Sequence, residues 1–326
     1  MYSLKKLFNP ELYQGKYKYS KYFEGWYFKL VDEKQNNILS IIPGISRSNS
    51  KDSHAFIQII DGNGYTNYLN YSLKDFHYSL NDFEIKIENN YFTNNQIVLD
   101  IIRDEIKIVG SLNFINIIPY PKKLLNPGIM GVYSFVPFME CYHGIVNIHH
   151  EILGQLQINS SVKDFTGGYG YIEKDWGKSF PDSWIWLQSN HFNEPRISFM
   201  FSIARIPWFS SSFLGFISFI RINDKQYTFA SYTKAKVKKL SYENNILSIL
   251  IQDKKYSLYI KVHISNTKGD LIAPMMGCMN RTIQESINSI VEVKLLKFDK
   301  EDIFNGVGYH TGTEFAGDIC QFNIAT

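Results

Sequence analysis

The chain is poor in several features that would assign it to a familiar class. Its 326 residues include only 3 cysteines, Cys141, Cys278 and Cys320, set far apart. That spacing makes neither a disulfide framework nor a thiolate metal site, and free thiols fit a reducing, cytoplasmic setting. Charge of one sign is scarce: 34 Lys and Arg against 31 Asp and Glu leave a formal net charge of +3, without the concentrated basic stripe of a nucleic-acid binder. The densest basic run, Lys234-Ala-Lys-Val-Lys-Lys239, alternates as a solvated strand edge does. Long apolar runs are missing as well. The best transmembrane candidate, residues 197–222, is interrupted by Arg205 and Pro207 and diluted by Ser210, Ser211 and Ser212, whereas a spanning helix needs about 20 predominantly apolar residues. It reads as two strands joined by an apolar loop. The first 14 residues carry Lys5 and Lys6 with no apolar stretch behind them, so no secretory signal is expected.

Helical periodicity is equally scarce, and period-two alternation takes its place. In Ser257-Leu-Tyr-Ile-Lys-Val-His-Ile264, Leu258, Ile260, Val262 and Ile264 share one face and Tyr259, Lys261 and His263 the other, the pattern of a half-buried strand. Aromatic residues make up 16% of the chain, with 24 Phe, 22 Tyr and 5 Trp, and large flat side chains suit sheet faces and apolar pockets. Turn signals such as Asn223-Asp224 and Glu243-Asn244-Asn245 punctuate the alternation. Many short antiparallel strands predict an all-β protein of barrels or sandwiches. The length suits two cores, with a connector at Asn159–Gly168 that places the boundary near residue 160: domains 1–160 and 161–326. A short helix is expected at Met279–Ser286. Residues 117–140 break the pattern with Pro119, Pro121, Pro127, Pro137, Gly128 and Gly131 among apolar side chains. Proline cannot donate to a ladder, so this is an excursion: a plug, or a lid over a site.

Three segments carry candidate chemistry. In Tyr22-Phe-Glu-Gly-Trp-Tyr-Phe-Lys29, Glu24, Trp26 and Phe28 share a face. Residues 139–151 concentrate His143, His149 and His150 with Glu140 and Glu151. His149 and His150 point to opposite faces of a strand, so they cannot serve one metal together; a hydrogen-bonded histidine is favoured over a metal site. Residues 167–192 put Glu173 and Asp175 on one face just before Trp176, and Trp184, Trp186, Gln188 and Asn190 on one face farther on. Paired carboxylates raise each other's pKa, so that one can hold a proton, though a salt bridge with Lys174 is the plainer alternative. Apolar walls with a few orienting polar groups describe a ligand pocket. Gly167, Gly168 and Gly170 lack the following helix that a phosphate loop requires, and no cofactor or resident metal is expected.

These segments resemble the tocopherol cyclase-like family. The resemblance rests on Tyr22–Lys29, Gly128–Gly144, and above all Glu173-Lys-Asp-Trp-Gly-Lys-Ser-Phe-Pro181 with Trp184-Ile-Trp-Leu-Gln-Ser-Asn190; Asp175 stands where the plant enzymes carry Asn. Residues Leu271–Arg281 and Gly306–Gly317 look like the tail of bacterial members. The resemblance implies two lipocalin-like (calycin-like) antiparallel barrels. It also implies an intramolecular cyclase or isomerase acting on a prenylated quinol or similar hydrophobic substrate, with a non-catalytic lipid carrier as the alternative. Glu173, Asp175, Glu24 or His143 would be the acid. Trp26, Trp176, Trp184 and Trp186 would form walls, Gln188 and Asn190 would orient the phenol, and Arg281 would anchor a head group. The expected partner is a hydrophobic small molecule, with no nucleic acid, and with peripheral membrane contact through residues 207–216 or 129–139.

Overall fold

The computed structural model describes residues 2–48, 52–208, 211–298 and 301–324. After a short helix, α1 (Tyr2–Leu7), these residues are almost all antiparallel strand. They divide into two compact units: residues 1–61, 65–180 and 271–282 form the first, and residues 62–64, 181–270 and 283–326 the second.

The first unit holds β1 (Tyr22–Val31), β2 (Ile38–Arg47), β3 (His54–Asp61), β4 (Thr66–Tyr71), β5 (Phe76–Tyr78), β6 (Glu84–Ile87), β7 (Asn90–Thr93), β8 (Gln96–Arg103), β9 (Ile106–Pro119), β10 (Cys141–Ile158), β11 (Ser161–Asp164) and β12 (Tyr169–Gly177). The sheet runs β4-β3-β2-β1-β12-β10-β9-β8-β7-β6-β5. Its two edge strands, β4 and β5, follow one another in sequence across a single 3-10 turn, Leu73–Asp75. The edges are thus held side by side and the sheet curls into a nearly closed barrel, which removes exposed edges. Trp26, Phe28, Ile41, Ile57, Phe92, Leu112 and Ile172 belong to its one core cluster.

The second unit repeats the device. Its strands are β13 (Trp184–Ser189), β14 (His191–Phe192), β15 (Ile197–Trp208), β16 (Ser211–Ile222), β17 (Lys225–Ala230), β18 (Lys236–Glu243), β19 (Ile246–Gln252), β20 (Tyr256–His263), β21 (Gly269–Met275), β22 (Cys278–Lys297) and β23 (Asp302–Ala316), of which β21 from Leu271 onward and the start of β22 belong to the first unit. The order is β17-β16-β15-β13-β23-β22-β20-β19-β18, and again the edge strands β17 and β18 are joined through one 3-10 turn, Ser231–Thr233. Alternation does the sorting: in β19, Leu247, Ile249 and Ile251 enter the core while their neighbours stay half exposed. The hairpin before it turns on Asn244 and Asn245, at φ 51° and 60°, where asparagine tolerates the left-handed region.

Several expectations change. Met279–Ser286 is not helical but part of β22, because its apolar residues alternate: Ile283 and Ile287 are buried while Thr282 and Gln284 are exposed. The connector near residue 160 is the β10–β11 hairpin inside the first unit, which continues to Phe180. The two strands expected within 197–222 run farther toward each other than expected, since β15 and β16 pair as far as Trp208 and Ser211. Within the docking segment 207–216, Phe209, Ser210 and the Trp208 side chain lie outside the described residues. No helix among the described residues is long and apolar enough to cross a membrane.

Candidate active site

In the first unit, β12 is the hinge of the chemistry, lying between β1 and β10. Its alternation sends Ile172, Lys174 and Trp176 to one face and Tyr171, Glu173 and Asp175 to the other. The two faces have different work.

On the core face, Lys174 is fully buried and ion-paired with the equally buried Glu24 of β1. Its ammonium also donates to the Pro10 and Leu12 carbonyls at 2.7 and 2.6 Å, and it lies 4.6 Å from the Trp26 ring centre and 4.9 Å from that of Trp176. Burial pulls the Lys174 pKa down, and Glu24 opposes that pull. The Glu24 carboxylate accepts further hydrogen bonds from the Gln14 and Gly15 N–H groups, at 2.8 and 3.0 Å, and from the Tyr22 hydroxyl. Four donors therefore converge on Glu24 and fix it in the core. Trp26 is buried in the core, with its indole N–H on the Glu11 carbonyl at 2.9 Å. Together Glu24, Lys174 and Trp26 tie residues 10–15 to the barrel.

On the opposite face, His143 of β10 stands across from Asp175 in the β10–β12 register and diagonal to Glu173. His143 Nδ1 lies 2.9 Å from Asp175 Oδ1, and Nε2 lies 3.5 Å from Glu173 Oε2. Glu173 Oε2 accepts from the Tyr171 hydroxyl at 2.7 Å. Tyr171 and Glu173 are buried, while His143 and Asp175 are partly exposed. Burial, reinforced by Glu173, holds the Tyr171 hydroxyl well above its usual value, so Tyr171 is a donor. Burial and Asp175 likewise push the Cys141 thiol up, which removes it as a nucleophile at neutral pH. The result is a cluster, Tyr171–Glu173–His143–Asp175, in which the imidazole is hydrogen-bonded to Asp175 and stands at ion-pair distance from Glu173, and which can hold a proton. His143, Glu173 and Asp175 also form the one group among the described residues that can offer three ligand atoms to a metal, all within 4.8 Å of one another.

The proline-rich excursion is fastened next to this cluster. The His143 N–H meets Met130 Sδ at 3.1 Å, the Tyr142 hydroxyl donates to the Val136 carbonyl at 2.9 Å, and the Met139 N–H reaches the Tyr142 hydroxyl at 3.3 Å. Between the excursion, the N-terminal segment and the β10–β12 end lies a cavity of about 560 Å³ whose lining includes His143, Trp176, Tyr142, Met130, Val136 and Phe138, within the usual range for small-molecule sites. Trp176 and Tyr142 stack beside it, ring centres 5.5 Å apart and 10° from parallel. The lining also includes Lys6, whose pKa burial lowers to about 8, with Glu24 opposing and Lys174, Lys16 and Lys18 reinforcing the decrease.

The structure thus brings His143, Glu173 and Asp175 together on one face of β12, places Trp176 on the other, where it shares the cavity lining with His143, and sends Glu24 and Trp26 to the core. Trp184, Trp186 and Gln188 belong to the second unit, on the face of β13 opposite Ile185 and Leu187 of its core; all three, with Asn190, are buried. There the Trp184 indole donates to Glu314 Oε2 at 2.6 Å, and fully buried Glu285 pairs with Glu314 across β22–β23. Arg281, half-buried, lies on the start of β22, within the first unit. Sequence reading missed Tyr171, Glu285 and Glu314 as members of polar clusters. Tyr171 was visible by its spacing, two residues before Glu173; the glutamates required knowledge of which strands pair.

No curated protein matches the chain. Among solved structures it is similar to CghA with Sch210972, at 11% identity and TM-score 0.54, over 91% of this chain and 89% of that one. It is also similar to a putative AttH from Nitrosomonas europaea, at 11% identity and TM-score 0.51, over 90% and 92%. At such identities these likenesses concern the fold alone. The sequence profile of the tocopherol cyclase-like family, in contrast, matches residues 82–317, well over half of the sequence, and the chain belongs to the tocopherol cyclase-like family.

Proposed function

We propose that the chain is a proton-transfer enzyme of hydrophobic substrates, closing a ring in a prenylated quinol or similar molecule held beneath the 117–140 excursion. The observation that carries this reading is the cluster Tyr171–Glu173–His143–Asp175 with its histidine on the wall of a cavity that has apolar side chains along one side. Family membership supports it, and CghA, solved with Sch210972, supports a small-molecule partner for this fold.

In this reading His143, fixed through Nδ1 by Asp175, delivers the Nε2 proton to the substrate alkene, and Glu173, beside Nε2 and hydrogen-bonded by Tyr171, takes part only in holding that proton between turnovers. The new C–H bond leaves a tertiary cation, which the faces of Trp176 and Tyr142 stabilise. The phenol oxygen closes the ring onto that cation, and its released proton returns to the histidine. The excursion excludes water that would otherwise trap the cation. Glu24 is assigned a structural role. The aromatic and amide face of Trp184, Trp186, Gln188 and Asn190, and the Arg281 guanidinium, are further candidates for substrate contact.

The test is native mass spectrometry of freshly purified protein to name the bound ligand class, then incubation with prenylated hydroquinones and chromatography. Ring closure yields a product of unchanged mass and altered retention. A gain of one water points to a hydratase, and ligand recovered unaltered from every substrate points to a carrier; either result sinks the cyclase assignment.

A further inference from the structure

The cavity beneath the excursion is apolar along one wall and basic along another. Lys6, Lys18, Lys21 and Lys178 all line it, and no aspartate or glutamate does. Some exposed lysines elsewhere in this nearly neutral chain have carboxylate partners: Lys122 with Glu11 at 3.1 Å, Lys294 with Asp302 at 3.3 Å, Lys297 with Glu301 at 3.1 Å. Lys18, Lys21 and Lys178 have no carboxylate at ion-pair distance among the described residues, and all three are exposed at the cavity. Four positive charges around one opening, opposite Met130, Val136 and Phe138, amount to a site of mixed character. A neutral quinol would satisfy the apolar wall and leave Lys18, Lys21 and Lys178 without a complement. Charge complementarity asks for an anion on the same molecule.

We infer that the ligand of this cavity is a single-chain amphiphile carrying a carboxylate, its apolar body under the excursion and its anionic head among Lys6, Lys18, Lys21 and Lys178. The inference rests on the functional reading above for its placement next to His143, and it narrows the substrate class of that site from hydrophobic to hydrophobic and anionic. The volume accommodates one small molecule, so the occupant is a free amphiphile and not a bilayer.

The test is fluorescence titration of the full chain with 11-(dansylamino)undecanoic acid and with its methyl ester, at low and high salt. The acid is expected to bind more tightly than the ester by about tenfold at low salt, with the difference shrinking as salt screens the lysines. The Lys18→Gln/Lys21→Gln/Lys178→Gln variant should lose about that factor for the acid and keep its affinity for the ester. Equal affinities of the unaltered chain for acid and ester overturn the inference without recourse to any variant. Binding seen only when phosphatidylglycerol vesicles are added overturns it in favour of a membrane surface. The two proposals fail separately: equal affinities with conversion of a neutral prenyl-quinol abolish only the anionic head, whereas selective binding of the acid, with every tested substrate recovered unaltered, abolishes only the enzyme.

Discussion

Lys174 and Glu24 show how two charges can serve a core. Each is fully buried, and each is satisfied by the other together with backbone groups of residues 10–15. Removing one partner leaves the other charged and dry. Lys174→Met is therefore expected to destabilise the chain by about 3–5 kcal/mol, and Glu24→Gln/Lys174→Met to recover most of that loss; urea unfolding curves of the two variants decide it, and equal midpoints would contradict the network. His143 is expected to behave in the opposite way. His143→Gln should lower turnover of a converted substrate by about 10²–10⁴-fold while leaving the unfolding midpoint in place, because the side chain is partly exposed at a cavity wall. The sequence put Glu24, Glu173, Asp175 and His143 on one list. It could not divide them, since Glu24 and Glu173 are both acidic strand residues, and only the pairing of β1, β12 and β10 shows that they face opposite ways.

At the scale of strands, β10 has bulges between Ile145, Asn147 and His150, which re-aim its side chains. His150 consequently packs on the Phe114 ring, centres 4.1 Å apart, and against Gly170. A Cβ at Gly170 would lie 2.1 Å from His150 Nε2, so Gly170→Ala is expected to cost about 1–3 kcal/mol by overpacking, less in a His150→Ala background; thermal melts of the double-mutant cycle measure the coupling. Burial holds the His150 pKa well below the usual histidine value. The unfolded chain therefore binds a proton that the folded one refuses, and stability falls as pH drops below about 6.5. His150→Leu should flatten that acid limb, as urea titrations at successive pH values would show. Strand identity was largely legible, because alternation of the kind seen in β19 and β20 is a local property. The lengths of β10 and β22 were not: bulges interrupt the alternation in the first, and in the second a start at Met279 imitates a helix until its partner strand is known.

For the molecule as a whole, all-β character followed from composition and turn signals, but the division of the chain did not, because it is not linear. Residues 271–282 join the first unit. Their contacts there are specific: the Gln58 side chain bonds both the N–H and the carbonyl of Ile272, at 2.8 and 3.0 Å, the Ser46 hydroxyl donates to the Gly277 carbonyl at 2.6 Å, and the Met276 N–H donates to the Ser179 hydroxyl at 2.8 Å. No local pattern in either stretch announces a partner some two hundred residues away. A fragment of residues 1–180 is expected to melt well below the full chain and to be cut faster by protease, and fusing residues 271–282 to its end through a flexible linker should restore much of the difference. A fragment as resistant as the full chain would show the returning hairpin to be dispensable.

That returning hairpin bears on inheritance as well as on stability. A recombination breakpoint at the junction near residue 180 would hand a new host gene a barrel without the piece that completes it, and would leave the parent gene a stray hairpin with nothing to complete. The first unit cannot be finished on the ribosome until residue 282 has emerged, by which time most of the second has already been made. Neither half is a module that can be shuffled or acquired by itself, and the pair is expected to travel through evolution as one indivisible coding unit.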